Sequence, residues 1–217
     1  MIEFLQNIDA QMLMAVNAMH SPFFDRFMMA FTGRWVWVPF YCVLAWYMVR
    51  RMGWRNGIGI VLAIGLAVTI ADQTCASLIR PMAERLRPAN LDNPLSAMVH
   101  IVDNYRGGSY GFPSCHAANT FALAGFMCLL CRRSRLSLML VLWALATCYT
   151  RMYLGVHYPG DLLVGALVGT AASMLCYYLA QHLLRFKRIT DNDDTWPVLT
   201  VLLAIVVGIL IYAFMTQ

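Results

Sequence analysis

GIGIVLAIGLAVTIADQTCASLI, residues 57–79, is an apolar stretch that carries a single formal charge, at Asp72. A helix needs about 20 apolar residues to cross the roughly 30 Å hydrocarbon core of a bilayer, and this stretch is long enough. Five further stretches approach it in length and composition, at about 34–50, 116–131, 138–153, 161–183 and 197–215. The sequence therefore predicts an all-α fold, a polytopic membrane bundle of six transmembrane helices.

The composition of the whole chain agrees with a membrane protein. Its 217 residues are 60% hydrophobic and only 12% charged, with a mean hydropathy of +0.61. A soluble domain has about 25% charged residues, so this chain lacks the polar surface to stay in water. The length leaves no room for a second bundle, and residues 1–217 are predicted to form a single domain. Within it, Gly165 and Gly169 have the G-x-x-x-G spacing that lets helices approach closely, which we interpret as packing.

Residues 1–20 are predicted to form an amphipathic helix ahead of the first span. Apolar Phe4, Ile8, Met12 and Val16 recur at every fourth position among polar residues. Such a stripe is typical of a helix that lies in the membrane interface. An ordinary amphipathic helix packed on the bundle fits the pattern equally well.

The distribution of basic residues predicts the orientation of the chain. With six spans, both termini, the 80–115 loop and the 154–160 turn fall on one side of the membrane. The opposite side carries nine basic residues in short segments: Arg50, Arg51, Arg55, Arg132, Arg133, Arg135, Arg185, Lys187 and Arg188. By the positive-inside rule this second side is cytoplasmic. We therefore expect a multi-pass protein of the inner (cytoplasmic) membrane whose long loop faces the periplasm or the cell exterior.

Three polar segments stand out against the apolar background, and all three fall on the side of the long loop. They are Arg80 with Arg87-Pro88, Pro113-Ser114-Cys115-His116, and Arg151 with His157 and Asp161. A phosphoryl group in its transition state carries negative charge on its equatorial oxygens, which planar guanidinium groups bind bidentately. Arg80, Arg87 and Arg151 are therefore candidates for phosphate binding, although interfacial arginines can also extend towards lipid headgroups.

The second segment directly precedes an apolar helix. Ser114 is a plausible N-cap, and the free amide groups of the first turn, which includes Cys115, form an anion site together with the helix dipole. Ser114 and Cys115 are thus added to the phosphate-binding candidates. His116 projects from the same turn and is a general-acid candidate, because a second histidine lies on the same side.

The third segment supplies that second histidine. His157 follows Arg151 by six residues, and Asp161 follows His157 by four. A carboxylate near an imidazole fixes its tautomer and leaves the other nitrogen free to attack phosphorus. Asp161 could alternatively be only an acidic residue favoured in the first turn of a helix.

Asp72 is an acidic residue well inside the apolar span 57–79. It lies eight residues before Arg80, about two helical turns further into the membrane. An ionised aspartate at this depth is costly, which favours a functional role such as pairing with an arginine of the site. A polar contact with Gln73 and Thr74 is the alternative.

The order basic-x6-Arg-Pro, Pro-Ser-x-His, Arg-x5-His-x3-Asp over residues 80–161 resembles the type 2 phosphatidic acid phosphatase superfamily, whose members include six-span lipid phosphatases. The resemblance implies that His157 is the nucleophile that forms a phosphohistidine and that Asp161 orients it. His116 would protonate the leaving group and then assist water, while Arg80, Arg87, Ser114 and Arg151 would hold the phosphate.

The sequence departs from the family pattern at three positions. Arg80 stands where the family usually has lysine, so charge is kept while reach and geometry change. Cys115 replaces the usual glycine of Pro-Ser-Gly-His, and glycine permits close backbone approach to the phosphate. Thr150 stands where serine commonly precedes the arginine. None of the three changes removes a proton-transfer group.

The function implied is a metal-independent membrane lipid phosphate phosphatase with no cofactor. Candidate substrates are undecaprenyl diphosphate, a lipid A phosphate, phosphatidylglycerol phosphate and phosphatidic acid. A lipid-to-lipid phosphotransferase using the same site, or a non-catalytic lipid-binding or transport protein, are the alternatives. The histidines lack paired cysteine or carboxylate ligands at zinc spacing, and the one C-x-x-C, Cys128 and Cys131, lies in an apolar helix with no second pair. The net charge of +5 is interpreted as orienting the chain, so the expected partners are the lipid substrate and the membrane, and nucleic acid is not expected.

Overall fold

The structure, a computed structural model, describes residues 2–132, 135–189 and 195–216, and the regular elements within these ranges are helices. The predicted all-α class is therefore confirmed. Two short 3₁₀ turns, Trp35–Trp37 and Pro94–Ala97, accompany the longer elements. The α-helices are α1 Ile2–Asn17, α2 Pro22–Phe31, α3 Val38–Gln73, α4 Arg80–Ala83, α5 Cys115–Leu130, α6 Arg135–Tyr153, α7 Pro159–Leu184 and α8 Trp196–Met215.

Helix α3 is broken near its middle. Gly53 has φ 74° and ψ 162°, a backbone conformation that favours glycine. In an unbroken helix, residues eight apart lie about 12 Å from each other. Here a Cβ on Gly57 would collide with the backbone of Val49 and lie 2.8 Å from the carbonyl oxygen of Met48. The chain therefore reverses at Gly53, and most of the apolar stretches 34–50 and 57–79 falls on the two arms of α3.

The helical segment that follows Gly53 extends beyond residue 79, the predicted end of the span. It continues through a π-helical turn, Thr74–Ile79, into the short helix α4. Arg80 is thus a helical residue, whereas the sequence analysis placed it at the start of the loop. Turns of π-helix inside α-helices frequently occur at functional sites.

Several helices have the length and composition to cross a bilayer. Four qualify within the described ranges: Trp35–Ala83, Arg135–Tyr153, Pro159–Leu184 and Trp196–Met215. Cys115–Leu130 is also apolar but has only 16 residues. Large apolar side chains such as Leu62, Leu167 and Val207 point outwards and are exposed, as lipid-facing side chains would be. The protein is therefore a multi-pass membrane protein.

Close packing of α5 on α7 forms the centre of the bundle. A Cβ on Gly165 would collide with the carbonyl oxygen of Ser114, and a Cβ on Gly169 with that of Ala118. The predicted packing role of the G-x-x-x-G pair is confirmed. Because Ser114 immediately precedes α5, this packing also determines where α5 begins relative to α7.

The segments that the sequence analysis assigned to the cytoplasmic side lie together at one end of the bundle. The Gly53 turn borders Leu183 and Leu184 across a shared cavity. The amide of Ile189 donates to the carbonyl of Leu130 at 2.9 Å, and the guanidinium of Arg135 lies 5.7 Å from the centre of the Trp196 ring. Of the nine basic residues counted for this side, Arg133 lies outside the described residues.

Helix α1 docks at the opposite end, beside the long loop. The Asn17 amide donates to the carbonyls of His100 and Tyr153, at 3.0 and 2.7 Å, and its oxygen accepts from the His100 amide at 2.8 Å. Leu13 is fully buried, while Phe4 and Met12 are exposed. One face of α1 therefore packs on the bundle and another apolar face remains uncovered.

The α5–α7 contact gives a stability prediction. Gly169→Ala should lower the melting temperature of the detergent-purified protein, because the added methyl group collides with the α5 backbone. Overpacking of this kind costs about 1–3 kcal/mol, which corresponds to roughly 2–4 °C per kcal/mol in a chain of this size. Gly208→Ala in α8 is the matched control, because a Cβ there meets no atom of the described residues within 4 Å. Equal melting temperatures for both variants would contradict the packing assigned to Gly169.

Candidate functional site

The three polar segments meet at the end of the bundle where α5 and α7 begin and α6 ends. The amide of Ser114, at the start of α5, donates to the carbonyl of Asp161 in α7 at 2.9 Å. Arg87 in the long loop donates from Nη1 to the carbonyl of Val156 at 3.1 Å and contacts His157. Arg151 occupies the last turn of α6 and is almost fully buried. Residues up to about eighty positions apart thus form one cluster.

A short antiparallel pairing within the long loop positions Arg87. Its amide donates to the carbonyl of Ser109 at 3.1 Å, and the Gly111 amide donates to the carbonyl of Arg85 at 2.9 Å. The side chain then runs inwards, with Nε donating to the Tyr110 carbonyl at 3.1 Å. Arg87 is buried, and that burial, together with the nearby Arg151 and Arg80, lowers its pKa to about 10. The group remains charged at neutral pH.

The contact between Arg87 and His157 determines the tautomer of the imidazole. Nη1 of Arg87 lies 2.9 Å from Nε2 of His157. A guanidinium has only donors, so Nε2 must accept and the proton must reside on Nδ1. Burial, reinforced by the positive charges of Arg87, Arg151 and Arg80, lowers the pKa of His157 well below its usual value. His157 is therefore a neutral imidazole whose unprotonated nitrogen faces the arginines.

Asp161 lies on the other side of the imidazole. Its Oδ2 is 3.3 Å from Nδ1 of His157 and accepts from the amide of Tyr158 at 3.0 Å. Its Oδ1 accepts from Nη1 of Arg85 at 2.9 Å. The carboxylate is fully buried in the first turn of α7. Asp161 is thus both a partner of the imidazole and an acidic residue in the first turn of a helix, so the two interpretations offered for it are compatible.

The start of α5 provides the predicted cap. Ser114 is fully buried, has extended backbone angles, and accepts from the amide of Ala117 at 3.5 Å. Cys115 accepts through Sγ from Nη2 of Arg80 at 2.9 Å, and the same Nη2 donates to the carbonyl of Pro113 at 3.0 Å. The helix start and Arg80 are therefore held together.

His116 lines a cavity of about 480 Å³ together with Arg80 and Cys115. It interacts electrostatically with Arg151 and His157, so it belongs to the same cluster. Arg34, which lies outside the three sequence motifs, borders this cavity. The cavity therefore lies beside the cluster, with Arg80 and His116 in its wall.

Arg151 is held by residues that the motifs do not include. Nη1 donates to the hydroxyl of Thr32 at 2.7 Å and Nη2 to the hydroxyl of Tyr105 at 2.9 Å. Its guanidinium carbon lies 5.4 Å from the centre of the Tyr105 ring. Thr32 gives no local sequence signal, because its partner lies more than a hundred residues away.

The cluster has an excess of positive charge and of hydrogen-bond donors. Arg80 and Arg151 lie close enough to Arg87 that their positive charges add to the lowering of its pKa by burial. The Nε atoms of Arg80 and Arg151 are buried and have no hydrogen-bond partner among the residues that the structure describes. The carboxylate of Asp161 is already paired with Arg85. Burying like charges and unpaired donors is unfavourable, so the arrangement is suited to binding an anion.

Asp72 does not pair with an arginine among the described residues. Its Oδ1 accepts from Nδ2 of Asn119 at 2.8 Å, and Gln73 instead accepts from the Ser77 hydroxyl at 2.9 Å. Asp72 nevertheless borders the cavity that contains Arg80 and His116. The expected arginine partner is therefore replaced by Asn119, because helix α5 places this amide opposite the carboxylate.

Two contacts of Asp161 and its neighbours were not foreseen from the motifs. Arg85 binds Asp161, and its Nη2 donates to Oδ2 of Asp9 in α1 at 2.8 Å. The available signal was the spacing of Arg85 and Arg87, since residues two apart in an extended segment point to the same face. Asp9 gave no such signal among the polar residues of α1.

An apolar cavity of about 390 Å³ adjoins the polar one. The two share four lining residues, Tyr41, Asn119, Thr120 and Trp143. The apolar cavity extends between the two arms of α3 and the helices α5 and α6, along Leu44, Ile64 and Leu123. Within the described ranges, no group of three or more His, Cys, Asp or Glu side chains is arranged to hold a metal ion.

Comparisons with known proteins agree with these features. A profile described as the PAP2 superfamily matches residues 56–185. A lipid A 4′-phosphatase of Bacteroides thetaiotaomicron is 50% identical over 183 residues, covering 84% of this chain and 81% of that protein. A lipid A 4′-phosphatase of Porphyromonas gingivalis is 28% identical over 178 residues, covering 81% and 74%.

A solved structure shares the fold. It is a transmembrane PAP2-type phosphatidylglycerolphosphate phosphatase from Bacillus subtilis, with a TM-score of 0.60 and 21% sequence identity. The similarity covers 84% of this chain and 89% of that one.

The unpaired donors give a binding prediction. Inorganic phosphate at tenfold excess over its dissociation constant should stabilise the protein by about 1.4 kcal/mol. That corresponds to a rise in melting temperature of about 3–6 °C. Arg87→Ala should abolish the rise, because it removes a buried guanidinium of the cluster.

Arg26→Ala is the matched control, since Arg26 forms an exposed ion pair with Asp103 at the same end of the bundle. A phosphate-dependent shift that survives in Arg87→Ala, or disappears in Arg26→Ala, would contradict binding at the cluster.

Proposed function

This chain belongs to the PAP2 superfamily, and from this premise we propose that it hydrolyses the 4′-phosphate of lipid A. The family supports removal of phosphate from a membrane lipid, and the 50% identity to a lipid A 4′-phosphatase supports that lipid among the candidates. The observation that carries the chemistry is the neutral His157, whose Nε2 faces a buried cluster of arginines.

We assign the first chemical step to His157. The substrate phosphate binds to Arg80, Arg87, Arg151 and the start of α5 at Ser114 and Cys115, and it draws the guanidinium of Arg87 away from Nε2. The nitrogen then attacks phosphorus and forms the P–N bond as the P–O ester bond breaks. Asp161 accepts the Nδ1–H hydrogen bond and stabilises the positive charge that develops on the imidazole.

His116 serves both halves of the reaction. In its protonated form it gives a proton to the leaving oxygen of the lipid, which departs with the electron pair of the broken bond. Neutral His116 then takes a proton from water, whose oxygen attacks the phosphohistidine. The P–N bond breaks, inorganic phosphate is released and His157 returns to its neutral state. His116 is placed for this role because it lines the polar cavity while His157 is buried.

The paired cavities support a lipid as substrate. The polar cavity at His116 adjoins the apolar cavity between α3, α5 and α6, with Asn119 and Trp143 in the walls of both. A lipid can place its phosphate against the arginines and an acyl chain along the apolar wall. A small soluble phosphate ester would leave the apolar cavity without an occupant.

The remaining architectural predictions belong to the same proposal. We propose six spans in a single domain, residues 1–217, with the reversal at Gly53 separating the first two. Helix α1 lies in the interface, because its uncovered face includes Phe4, Leu5 and Met12. The basic end faces the cytoplasm and the site opens to the periplasm of the inner membrane, in accordance with the positive-inside rule.

The hydrolysis prediction is tested with purified protein in EDTA and four lipids: lipid A 4′-phosphate, undecaprenyl diphosphate, phosphatidylglycerol phosphate and phosphatidic acid. We expect phosphate release to be fastest from lipid A. His157→Ala should abolish it, and His116→Ala should reduce it at least 100-fold because general acid catalysis contributes about 10²–10⁴-fold. Denaturation at alkaline pH, which preserves the P–N bond of a phosphohistidine, should trap label from a radiolabelled lipid phosphate on the wild type and none on His157→Ala.

Two outcomes would redirect the assignment. Label that passes to an acceptor lipid with little release of inorganic phosphate would establish a phosphotransferase. No turnover of any of the lipids, together with lipid binding that survives His157→Ala, would establish a non-catalytic lipid-binding protein. His20→Ala is the control for loss of a histidine, because His20 stacks on His100, whose ring faces Asp25, outside the cluster.

The lowered pKa of His157 predicts the pH dependence. The nucleophile must be neutral, so kcat/KM falls as pH decreases through the pKa of His157 in the free protein. Because arginines and burial hold that pKa well below the usual value of about 6.5, the acidic limb should lie below pH 6.5. Arg87→Gln removes a positive neighbour and should move the limb to higher pH. The pKa of the substrate phosphate is measured separately by ³¹P NMR, and its contribution is removed from the pH profile. An acidic limb that stays at the same pH in Arg87→Gln would contradict the electrostatic coupling between Arg87 and His157.

A further inference from the structure

Four residues form a continuous chain of contacts from the cluster to the N-terminal helix. They are His157, Asp161, Arg85 and Asp9, joined at 3.3, 2.9 and 2.8 Å. We propose that Arg85 and Asp9 are positioning residues, through which helix α1 holds the carboxylate of Asp161 in the orientation that His157 needs. This inference rests on the proposed function, since it concerns the same imidazole.

The burial of Asp161 explains why it needs Arg85. The carboxylate is fully inaccessible, and an uncompensated buried charge is strongly destabilised. Among the described residues, Arg85 is the cation that forms an ion pair with it through a guanidinium. Arg85 binds Oδ1 and the Tyr158 amide binds Oδ2, so the carboxylate plane is fixed from both ends. Oδ2 is thereby directed at Nδ1 of His157.

Arg85 is in turn fixed on three sides. Its guanidinium carbon lies 4.1 Å from the centre of the Tyr158 ring, in the geometry of a cation–π contact. Its carbonyl accepts from the Gly111 amide, within the pairing that also places Arg87. The third side is Asp9, whose Oδ2 accepts from Nη2. Without Asp9, one edge of the guanidinium would be free to rotate towards solvent, because Arg85 is about a quarter exposed.

Asp9 makes a second contact, with the first turn of α7. Its Oδ1 accepts from the amide of Gly160 at 2.9 Å, in the first turn of α7. A Cβ on Gly160 would lie only 2.7 Å from Oδ2 of Asp9, so a side chain there would displace the carboxylate from this position. Asp9 therefore bridges Arg85 and the turn that bears Asp161. A surface aspartate with no role would not require such a close approach.

Through Asp9, helix α1 contributes to the geometry of the site as well as to contact with the membrane. Asn17 anchors the C-terminal end of α1, and Asp9 reaches the site from its middle. The uncovered apolar residues Phe4 and Met12 lie on the same helix. The position of α1 in the interface thus determines the position of Asp9 relative to Arg85.

The test is a double-mutant cycle in the full-length protein. Arg85→Gln should lower kcat about 100-fold with KM changed less than threefold, because misplacement of a catalytic group by about 1 Å can cost 10² in rate. Arg85→Lys should recover part of the loss. Asp9→Asn should lower kcat about tenfold, because it keeps an oxygen for the Gly160 amide and loses the charge that holds Arg85. The double variant should therefore be no slower than Arg85→Gln.

The control is Asp103→Asn, which removes the exposed ion pair with Arg26 and should leave kcat unchanged. The acidic limb of kcat/KM should move to higher pH in Arg85→Gln, because a buried carboxylate without its cation takes up a proton more readily. Losses that are additive in the double variant would overturn the inference. An effect confined to KM would also overturn it, and would make Arg85 a substrate-binding residue.

Binding of orthovanadate separates this inference from the proposed function. Vanadate can accept a histidine nitrogen as a fifth ligand and so mimics the transition state, whereas phosphate reports only the arginine cluster. We expect Arg85→Gln to weaken vanadate binding about tenfold and to leave phosphate binding unchanged. If the wild type hydrolyses none of the lipids, the proposed function fails. The ratio of vanadate affinity to phosphate affinity still tests the inference. A ratio that Arg85→Gln leaves unchanged overturns it, and a ratio that Arg85→Gln lowers supports it.

Discussion

The close approach of α5 and α7 is the constraint on which the site depends. Gly165 lets the backbone of Ser114 lie against α7, and the Ser114 amide then bonds to the carbonyl of Asp161. This brings together the helix start that carries His116 and the helix start that carries Asp161. A side chain at position 165 would push α5 and α7 apart at the site itself. Packing between small residues in the membrane therefore sets the geometry of the polar groups above it.

The arginine cluster is an unfavourable arrangement that the rest of the fold sustains. Arg80, Arg87 and Arg151 repel one another, and Arg80 and Arg151 each bury an Nε that has no hydrogen-bond partner in the described part of the chain. Their positions are held by neutral acceptors: the carbonyls of Pro113, Tyr110 and Val156 and the hydroxyls of Thr32 and Tyr105. Neutral acceptors orient a guanidinium without cancelling its charge, so the positive potential remains available to a phosphate. A carboxylate in the same place would have neutralised the site.

The sequence predicted the helical class and the residues that meet at the site, because both depend on local signals. Apolar runs mark spans, and Arg87, His116, His157 and Asp161 lie in short motifs next to helix starts. Thr32, Asp9 and Asn119 were not predicted, since their roles arise from contacts between distant segments. Thr32 meets Arg151 across 119 positions and Asp9 meets Arg85 across 76. The partner of Asp72 was missed for the same reason, as its carboxylate meets Asn119 on another helix.

Two departures from the family pattern touch each other in the structure. Nη2 of Arg80 lies 2.9 Å from Sγ of Cys115, so the residue in place of lysine contacts the residue in place of glycine. A lysine ammonium is a compact point charge, whereas a guanidinium spreads its donors over a plane. Nη2 of Arg80 donates to the sulfur and to the Pro113 carbonyl, and the buried Nε has no hydrogen-bond partner within the described ranges. With glycine at 115 the sulfur would be absent and Nη2 would lose one of its two acceptors. The two changes are therefore best understood as one coupled solution, in which the cysteine helps to orient the longer, planar cation that replaces the lysine.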